Sequence, residues 1–120
     1  MLAVGVDVVE VARVERVVRR FGDRFLTRIY TDEERAHCRG QMPRLAARWA
    51  AKEAIAKALG TGVAGFCFRD LEVVADAAGR PEVRLHGAAR ARAEALGLRQ
   101  WVVSLSHTDT LAVAFVVASG

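Results

Sequence analysis

The segment Arg48-Trp49-Ala50-Ala51-Lys52-Glu53-Ala54-Ile55-Ala56-Lys57-Ala58-Leu59-Gly60-Thr61-Gly62 sets one carboxylate among cations on an alanine-rich helix that ends in a glycine-flanked turn. Glu53 and Lys57 are four apart and share a helix face, with Trp49 one turn earlier on it. At this spacing Glu53 could simply make an exposed ion pair with Lys57. The flanking face, however, is alanine, which suits close packing. A lone acid on such a helix can hold a divalent cation while the neighbouring cations hold phosphate. The chemistry this suggests is on a phosphate ester.

Asp7 is the second unusual acid. It lies in Ala3-Val4-Gly5-Val6-Asp7-Val8-Val9, an alternating pattern that predicts a strand with Asp7 on the glycine side. A carboxylate there loses hydration unless donors or a cation compensate, unless it stands at the strand end and caps the next helix. If Asp7 and Glu53 face one cavity they repel. Mg²⁺ would relieve that, since it takes few carboxylates and fills its shell with water and phosphate oxygens. Lys57, a turn further on, could neutralise or protonate a leaving phosphate. Backbone amides of Gly60-Thr61-Gly62 could approach an anion, although Gly60 also reads as a plain helix stop.

Ser106 and His107 are adjacent on a predicted strand end, so their side chains diverge and do not form a hydrolytic pair. His107 suits contact with a phosphate or hydroxyl. Arg13, Arg16 and Arg20 fall on one stripe, with Arg24 and Arg28 after them; the stripe is either a solvated face or a dock for an acidic helix through bidentate pairing.

The elements that must place these residues follow from periodicity. A strand is expected over 3–9. Val11, Val14, Val17, Val18 and Phe21 recur at three and four, predicting a helix over 10–21 stopped by Gly22. Asp23 caps a short helix with Phe25, Leu26 and Ile29. Thr31-Asp32-Glu33-Glu34 is a capping box for a third, ended by Gly40. Pro43 fits the first turn of the long helix, which runs to about Leu59. Residues 66–75 look extended, Ala78-Gly79-Arg80-Pro81 is a turn, and 82–85 a return strand. A helix over 87–96 stops at Gly97. Residues 100–106 and 111–118 form a hairpin across His107-Thr108-Asp109-Thr110. The last strand is apolar on both faces, so it is central in a sheet or buried against another subunit. The fold class is α+β: one domain over residues 1–120, a small, mostly antiparallel sheet against a long helix and several short ones.

Composition narrows the partners. With 18 Lys and Arg against 14 Asp and Glu, the net charge is +4, which favours acidic partners. The arginine segment lacks the interleaved aromatics of a single-strand binder, and no zinc finger or base-reading helix-turn-helix is present, so nucleic acid is not expected. The longest apolar run, Leu111 to Ala118, is too short to span a bilayer. The N-terminus lacks a signal-peptide pattern. Cys38 and Cys67 have no metal spacing, as in a reducing compartment. A cytoplasmic protein is expected, with no membrane partner. A basic nucleic-acid-binding module would account for the charge but not for Asp7, Glu53 and Lys57 together; a structural trimer without activity would not need those residues intact.

Three segments now stand in order: Gly5-Val6-Asp7-Val8-Val9-Glu10-Val11; Arg48-Trp49-Ala50-Ala51-Lys52-Glu53-Ala54 with Lys57 and Gly60-Thr61-Gly62; and Ser104-Leu105-Ser106-His107. Together they resemble the holo-acyl-carrier-protein synthases, the short single-domain branch of the 4′-phosphopantetheinyl transferases, over nearly the whole chain. The resemblance implies transfer of the 4′-phosphopantetheine arm of coenzyme A to a serine of an apo acyl carrier protein, with Mg²⁺ as cofactor and adenosine 3′,5′-bisphosphate as the other product. It makes Asp7 and Glu53 the metal ligands and Glu53 and Lys57 the catalytic pair. The serine proton could go to Glu53 or to a metal-bound water. Arg48, Trp49, Lys57, Gly60, Thr61, Gly62, Ser106 and His107 fall at coenzyme A positions. Arg13, Arg16, Arg20 and Arg24 lie where the carrier protein docks. Homotrimers with active sites between subunits are also implied. Trp49 stands where phenylalanine is usual, and Val9 where two-domain relatives carry a further acid; Glu10 points from the other side of the strand.

Overall fold

The computed structural model describes residues 1–62 and 65–120. Strand β1 (Leu2–Glu10) leads into helices α1 (Val11–Phe21), α2 (Asp23–Ile29), α3 (Asp32–Cys38) and α4 (Met42–Ala58); after them come β2 (Leu71–Ala75), β3 (Pro81–Leu85), α5 (Gly87–Leu96), β4 (Gln100–His107) and β5 (Leu111–Ser119). The fold is α+β. Two antiparallel sheets are present, one of order β1-β5-β4 and a separate β2–β3 ribbon. β5 is central, as its doubly apolar pattern requires. No described helix is long and apolar enough to cross a membrane.

α4 is the axis of the core. Ala46, Ala47, Ala50, Ala51, Ala54 and Ala58 are all buried. Small side chains let the helix backbone lie close to the sheet. Residues paired across the sheet share a face, so Asp7, Ala114 and Leu105 face the helix together, as do Val9, Ala112 and His107. The approach is closest at Gly5. A Cβ there would stand 1.9 Å from the carbonyl oxygen of Ala54 and 3.2 Å from the amide nitrogen of Ala58. Those neighbours are backbone and cannot rotate aside.

A buried ionic hub fixes the other side of α4. Lys52 and Glu34 are both 0 % exposed and paired at 2.8 Å. Lys52 Nζ also donates to the carbonyls of Phe68 and Leu71, at 3.0 Å each. Glu34 Oε1 accepts from the Thr31 amide to complete the capping box, and its Oε2 accepts from the Val73 amide. Burial lowers the Lys52 pKa and Glu34 counters that shift. The lysine counted by the sequence among phosphate-holding cations is therefore internal.

That hub also accounts for one corrected element. The expected strand over 66–75 is shorter: Phe68–Asp70 form a 3₁₀ turn and β2 begins only at Leu71. Lys52 holds the Phe68 carbonyl, which also accepts from the Leu71 amide to close the 3₁₀ turn. Two boundaries also move. Helix α3 stops at Cys38, with Arg39 as its cap at φ 51° and Gly40 following at φ 69°. His107 pairs with Ala112 as the last residue of β4, so the hairpin loop is Thr108 to Thr110.

Gly5→Ala should therefore lower unfolding stability by about 3 kcal/mol or more, since an overpacked contact against backbone has no side-chain route of relief. Denaturant unfolding of the variant checks this. An unchanged midpoint would mean that strand and helix separate freely.

Candidate functional site

The strand and the helix deliver the acids to one another. Asp7 faces α4, where Glu53 projects toward it. It is not a helix cap, because the α1 cap position is Glu10 and carries no side-chain cap bond. Lys57 chooses the strand over its own helix: Nζ donates to the Val6 carbonyl at 2.9 Å and to Asp7 Oδ1 at 3.0 Å. The Asp7 side chain is 20 % exposed and that of Lys57 52 %, so the group reaches the surface. The Glu53 carboxyl is held above the ordinary carboxylate range, first by burial and then by the charge of Asp7; Lys57 and Arg13 oppose the shift. Two carboxylates that repel, with oxygen donors only, form a set suited to a hard divalent cation. Among the described residues no cluster of three or more His, Cys, Asp and Glu exists. A cation here would thus take Asp7 and Glu53 from the protein and complete its shell otherwise, the habit of Mg²⁺. Glu10 lies on the opposite strand face, as expected.

Around this group the structure places three further sets. Trp49 is the middle ring of a stack, 5.6 Å from Phe25 and 5.1 Å from Phe68 between centroids. It lines a narrow cavity with Val9 and Arg13. Gly60 and Gly62 both have positive φ, 84° and 61°, which leaves the turn after α4 open to close approach. Arg92 on α5, unanticipated from sequence, donates to the Leu59 carbonyl and has its guanidinium beside Gly60.

The third set brings two predicted residues together. Arg48 and His107 line one cavity of about 250 Å³, joined by His37 and Arg44. Arg48 is 5 % exposed. Its Nε donates to the Val73 carbonyl, and among the described residues it has no carboxylate partner. His37 and Arg44 carry no motif; only the fold reveals them. Ser106, paired in register with Val113, lies on the opposite side of the sheet from His107. It does not reach this cavity within the chain. In the sheet, Asp7 and His107 are divided by the whole of β5, roughly 10 Å of lateral spacing.

Arg13, Arg16 and Arg20 are exposed on α1 and make no ion pair among the described residues, whereas Arg19 pairs with Glu15. Arg20 lies over the Phe21 ring, and Arg24 lines a groove of about 670 Å³ with Val17, Phe21, Phe25 and Arg28. The stripe is therefore cationic and apolar at once.

Residues 3–116 match the family model of the 4′-phosphopantetheinyl transferase superfamily. The chain belongs to that superfamily. It is 50 % identical over 127 residues to the holo-[acyl-carrier-protein] synthase of Herpetosiphon aurantiacus, covering 100 % of both chains. It is 56 % identical over 118 residues to that of Solidesulfovibrio magneticus, covering 97 % of this chain and 96 % of the relative. Among solved structures, the Helicobacter pylori holo-[acyl-carrier-protein] synthase in complex with coenzyme A superposes with a TM-score of 0.89 at 30 % identity, covering 97 % of this chain and 99 % of that one. The Neisseria meningitidis synthase superposes with a TM-score of 0.87 at 38 % identity and 98 % coverage of each. The superfamily's transferase chemistry on phosphate esters agrees with the acids, lysine and arginines assembled here.

The raised Glu53 pKa carries a sign for stability. A carboxyl that holds its proton more tightly folded than unfolded makes the native state less stable as pH rises through its native pKa. Glu53→Gln, in a chelator-treated sample, should melt at or above the wild-type temperature at pH 7.5. The advantage should fade as pH falls toward the ordinary carboxylate range. A variant several degrees less stable at pH 7.5 would make the Glu53 carboxylate a structural partner instead.

Proposed function

We infer that this chain is a holo-[acyl-carrier-protein] synthase: it transfers the 4′-phosphopantetheine arm of coenzyme A to a serine hydroxyl of an apo acyl carrier protein and releases adenosine 3′,5′-bisphosphate. The observation that carries the reading is the meeting of Asp7, Glu53 and Lys57 between β1 and α4, 50 residues apart in the case of Lys57 and Asp7. Synthases of the same length share half or more of the sequence.

Asp7 and Glu53 would hold Mg²⁺, which, when bound, neutralises the diphosphate and polarises it toward attack. Glu53 would be placed to take the proton of the carrier serine, directly or through water, as that oxygen attacks the phosphorus next to pantetheine. Lys57 stabilises or protonates the departing bisphosphate. The open turn Gly60 to Gly62, with Arg92 beside it, lies next to Lys57 and suits the diphosphate. The cavity of Arg48, Arg44 and His107 suits the terminal phosphate of the nucleotide. Catalysis here is positioning and charge neutralisation rather than covalent chemistry.

Arg13, Arg16, Arg20 and Arg24 would dock the acidic carrier, with the groove beside Phe21 and Phe25 accepting its apolar side chains. Arg13 reaches both roles, since its charge acts on Glu53 while it stands on the docking stripe. Mass spectrometry of an apo acyl carrier protein incubated with this protein, coenzyme A and Mg²⁺ should give a gain of about 340 Da on serine, the mass of the arm. Glu53→Gln should abolish the gain. Reversal of Arg13 and Arg20 to Glu should raise KM for the carrier far more than for coenzyme A. No mass gain with the wild-type protein would overturn the assignment.

The outer face of the sheet supports a homotrimer. Leu2, Val4, Val6, Val8, Val102, Leu111 and Phe115 lie there between 45 and 71 % exposed. A continuous apolar sheet face of this kind marks an interface, and copies of the same chain are its occupant. Two site clusters on either side of β5 suit active sites shared between neighbours. Sedimentation equilibrium should return three times the chain mass of 13.0 kDa. Val6→Glu with Phe115→Lys should return a folded monomer. A monomeric wild-type protein would refute the assembly.

A further inference from the structure

Helix α4 presents the wrong end of its dipole to the turn that follows it. Its C-terminal carbonyls lie where Gly60 to Gly62 begin, and an anion brought against the last turn of a helix meets partial negative charge. Some of those carbonyls are answered locally: that of Ile55 accepts from the Leu59 amide and that of Lys57 from the Gly60 amide. The basic side chain of the last turn is Lys57, but its Nζ is turned to β1, where it holds the Val6 carbonyl and Asp7. Lys57 therefore answers the acid rather than the end of its own helix.

The cation that answers that end comes from another element. Arg92 of α5 donates from Nε to the carbonyl of Leu59, the C-cap residue of α4, at 3.2 Å. The same guanidinium reaches over the turn: a Cβ on Gly60 would stand 3.8 Å from Nη2. Glycine at this position leaves no side chain of its own between the guanidinium and the turn. Arg92 is half-buried and has no carboxylate within ion-pair distance among the described residues. Its neighbours one turn away on α5 are Ala88 and Leu96, whereas Arg90 on the same helix is paired with Glu94 at 3.2 Å. The helix that carries Arg92 is itself held, since Ala89 and Ala93 are buried and the His86 amide donates to the Asp70 carbonyl. Arg92 is thus anchored through Nε, while its outer nitrogens make no hydrogen bond among the described residues.

We propose that Arg92 binds the diphosphate of coenzyme A at the end of α4, its Nε answering the helix-end carbonyl while its outer nitrogens hold a phosphate oxygen. The proposal rests on the coenzyme A reading and deepens it: Arg92 becomes a ligand of the diphosphate and not only a neighbour of the turn. An arginine can do both at once because its N–H donors point along different edges of a planar fork. A lysine ammonium is a point charge on a flexible stem and must divide itself between the two. The bond to Leu59 also orders the side chain before the ligand arrives, so less rotamer freedom is lost on binding. With the helix end answered in this way, the turn becomes a place where an anion can lie.

The test is calorimetric titration with coenzyme A and, separately, with adenosine 3′-monophosphate, which lacks the diphosphate. The wild-type protein, Arg92→Gln and Arg92→Lys are compared, and KM is measured for coenzyme A and for the carrier. Loss of one charge-assisted hydrogen bond to phosphate corresponds to about tenfold in affinity. Arg92→Gln should therefore bind coenzyme A about tenfold more weakly, with a matching rise in KM for coenzyme A and none for the carrier. Arg92→Lys keeps the charge without the fork and should lose about threefold; it carries the comparison with the wild type if Arg92→Gln does not fold. Adenosine 3′-monophosphate should bind the wild type and the folded variants equally. Unchanged affinity for coenzyme A in the variants would overturn the role of Arg92 while leaving the transferase reading intact. An equal loss for both ligands would overturn it too, by making Arg92 a brace of the helix end alone. Failure of the wild-type protein to bind coenzyme A would remove both readings.

Discussion

The molecule depends on how closely one strand can lie against one helix. β1 and α4 touch through backbone at Gly5 and Ala54, with no room for even a methyl group. Two residues further along the same strand face stands Asp7, and Glu53 immediately precedes Ala54. A bulkier residue in place of Gly5 would force the strand away from the helix and so move Asp7 away from Glu53. The run of buried alanines on α4 serves the same end, since each lowers the helix toward the sheet. The site is a consequence of small residues, although none of them is a chemical participant.

Close packing alone would let the helix slide or rotate. The Lys52–Glu34 pair prevents this. Lys52 is next to Glu53 in sequence but points into the protein, so its three acceptors fix the rotation of α4 and thereby the direction of Glu53. A buried ion pair is a poor source of stability compared with apolar packing. Its use here is to specify: Glu34 simultaneously caps α3 and holds the Val73 amide of β2, and Lys52 holds the turn that returns from the glycine-rich segment. Three elements are thus registered against the helix that carries the chemistry. Phe68, placed by that hub, then closes the ring stack over Trp49.

Much of this was legible in the sequence because it is local. Alternating valines gave β1, the stripe from Val11 to Phe21 gave α1, and Thr31 with Glu34 declared a capping box that the structure contains. Asp7, Glu53 and Lys57 were singled out by type and spacing, and the fold does bring them together. The unread parts depend on contacts between distant segments. Lys52 has the appearance of a surface cation on an amphipathic helix, and only the position of Glu34, 18 residues earlier, makes it internal. The strand expected at Phe68 gives way to a 3₁₀ turn whose Phe68 carbonyl Lys52 also holds. His37 and Arg44 have no pattern at all. The divergence of Ser106 and His107 was visible from strand periodicity, yet which of the two faced the helix required the register of β4 on β5.

The distribution of charge also explains why the protein tolerates an unfavourable centre. Asp7 raises the cost of ionising Glu53, and Arg44 and Arg48 crowd one another in the second cavity. Like charges meet in each cluster: Asp7 and Glu53 in one, with Lys57 answering Asp7, and Arg44 and Arg48 in the other. On the proposed function, a ligand with phosphates at one end and a bridging cation at the other would relieve both. Stability withheld from the free protein in this way would be returned on such binding, so the same residues that weaken the empty fold would supply affinity to the filled one. The neutral core between them, the alanine face of α4 and the inner face of β5, keeps the two clusters from cancelling each other directly.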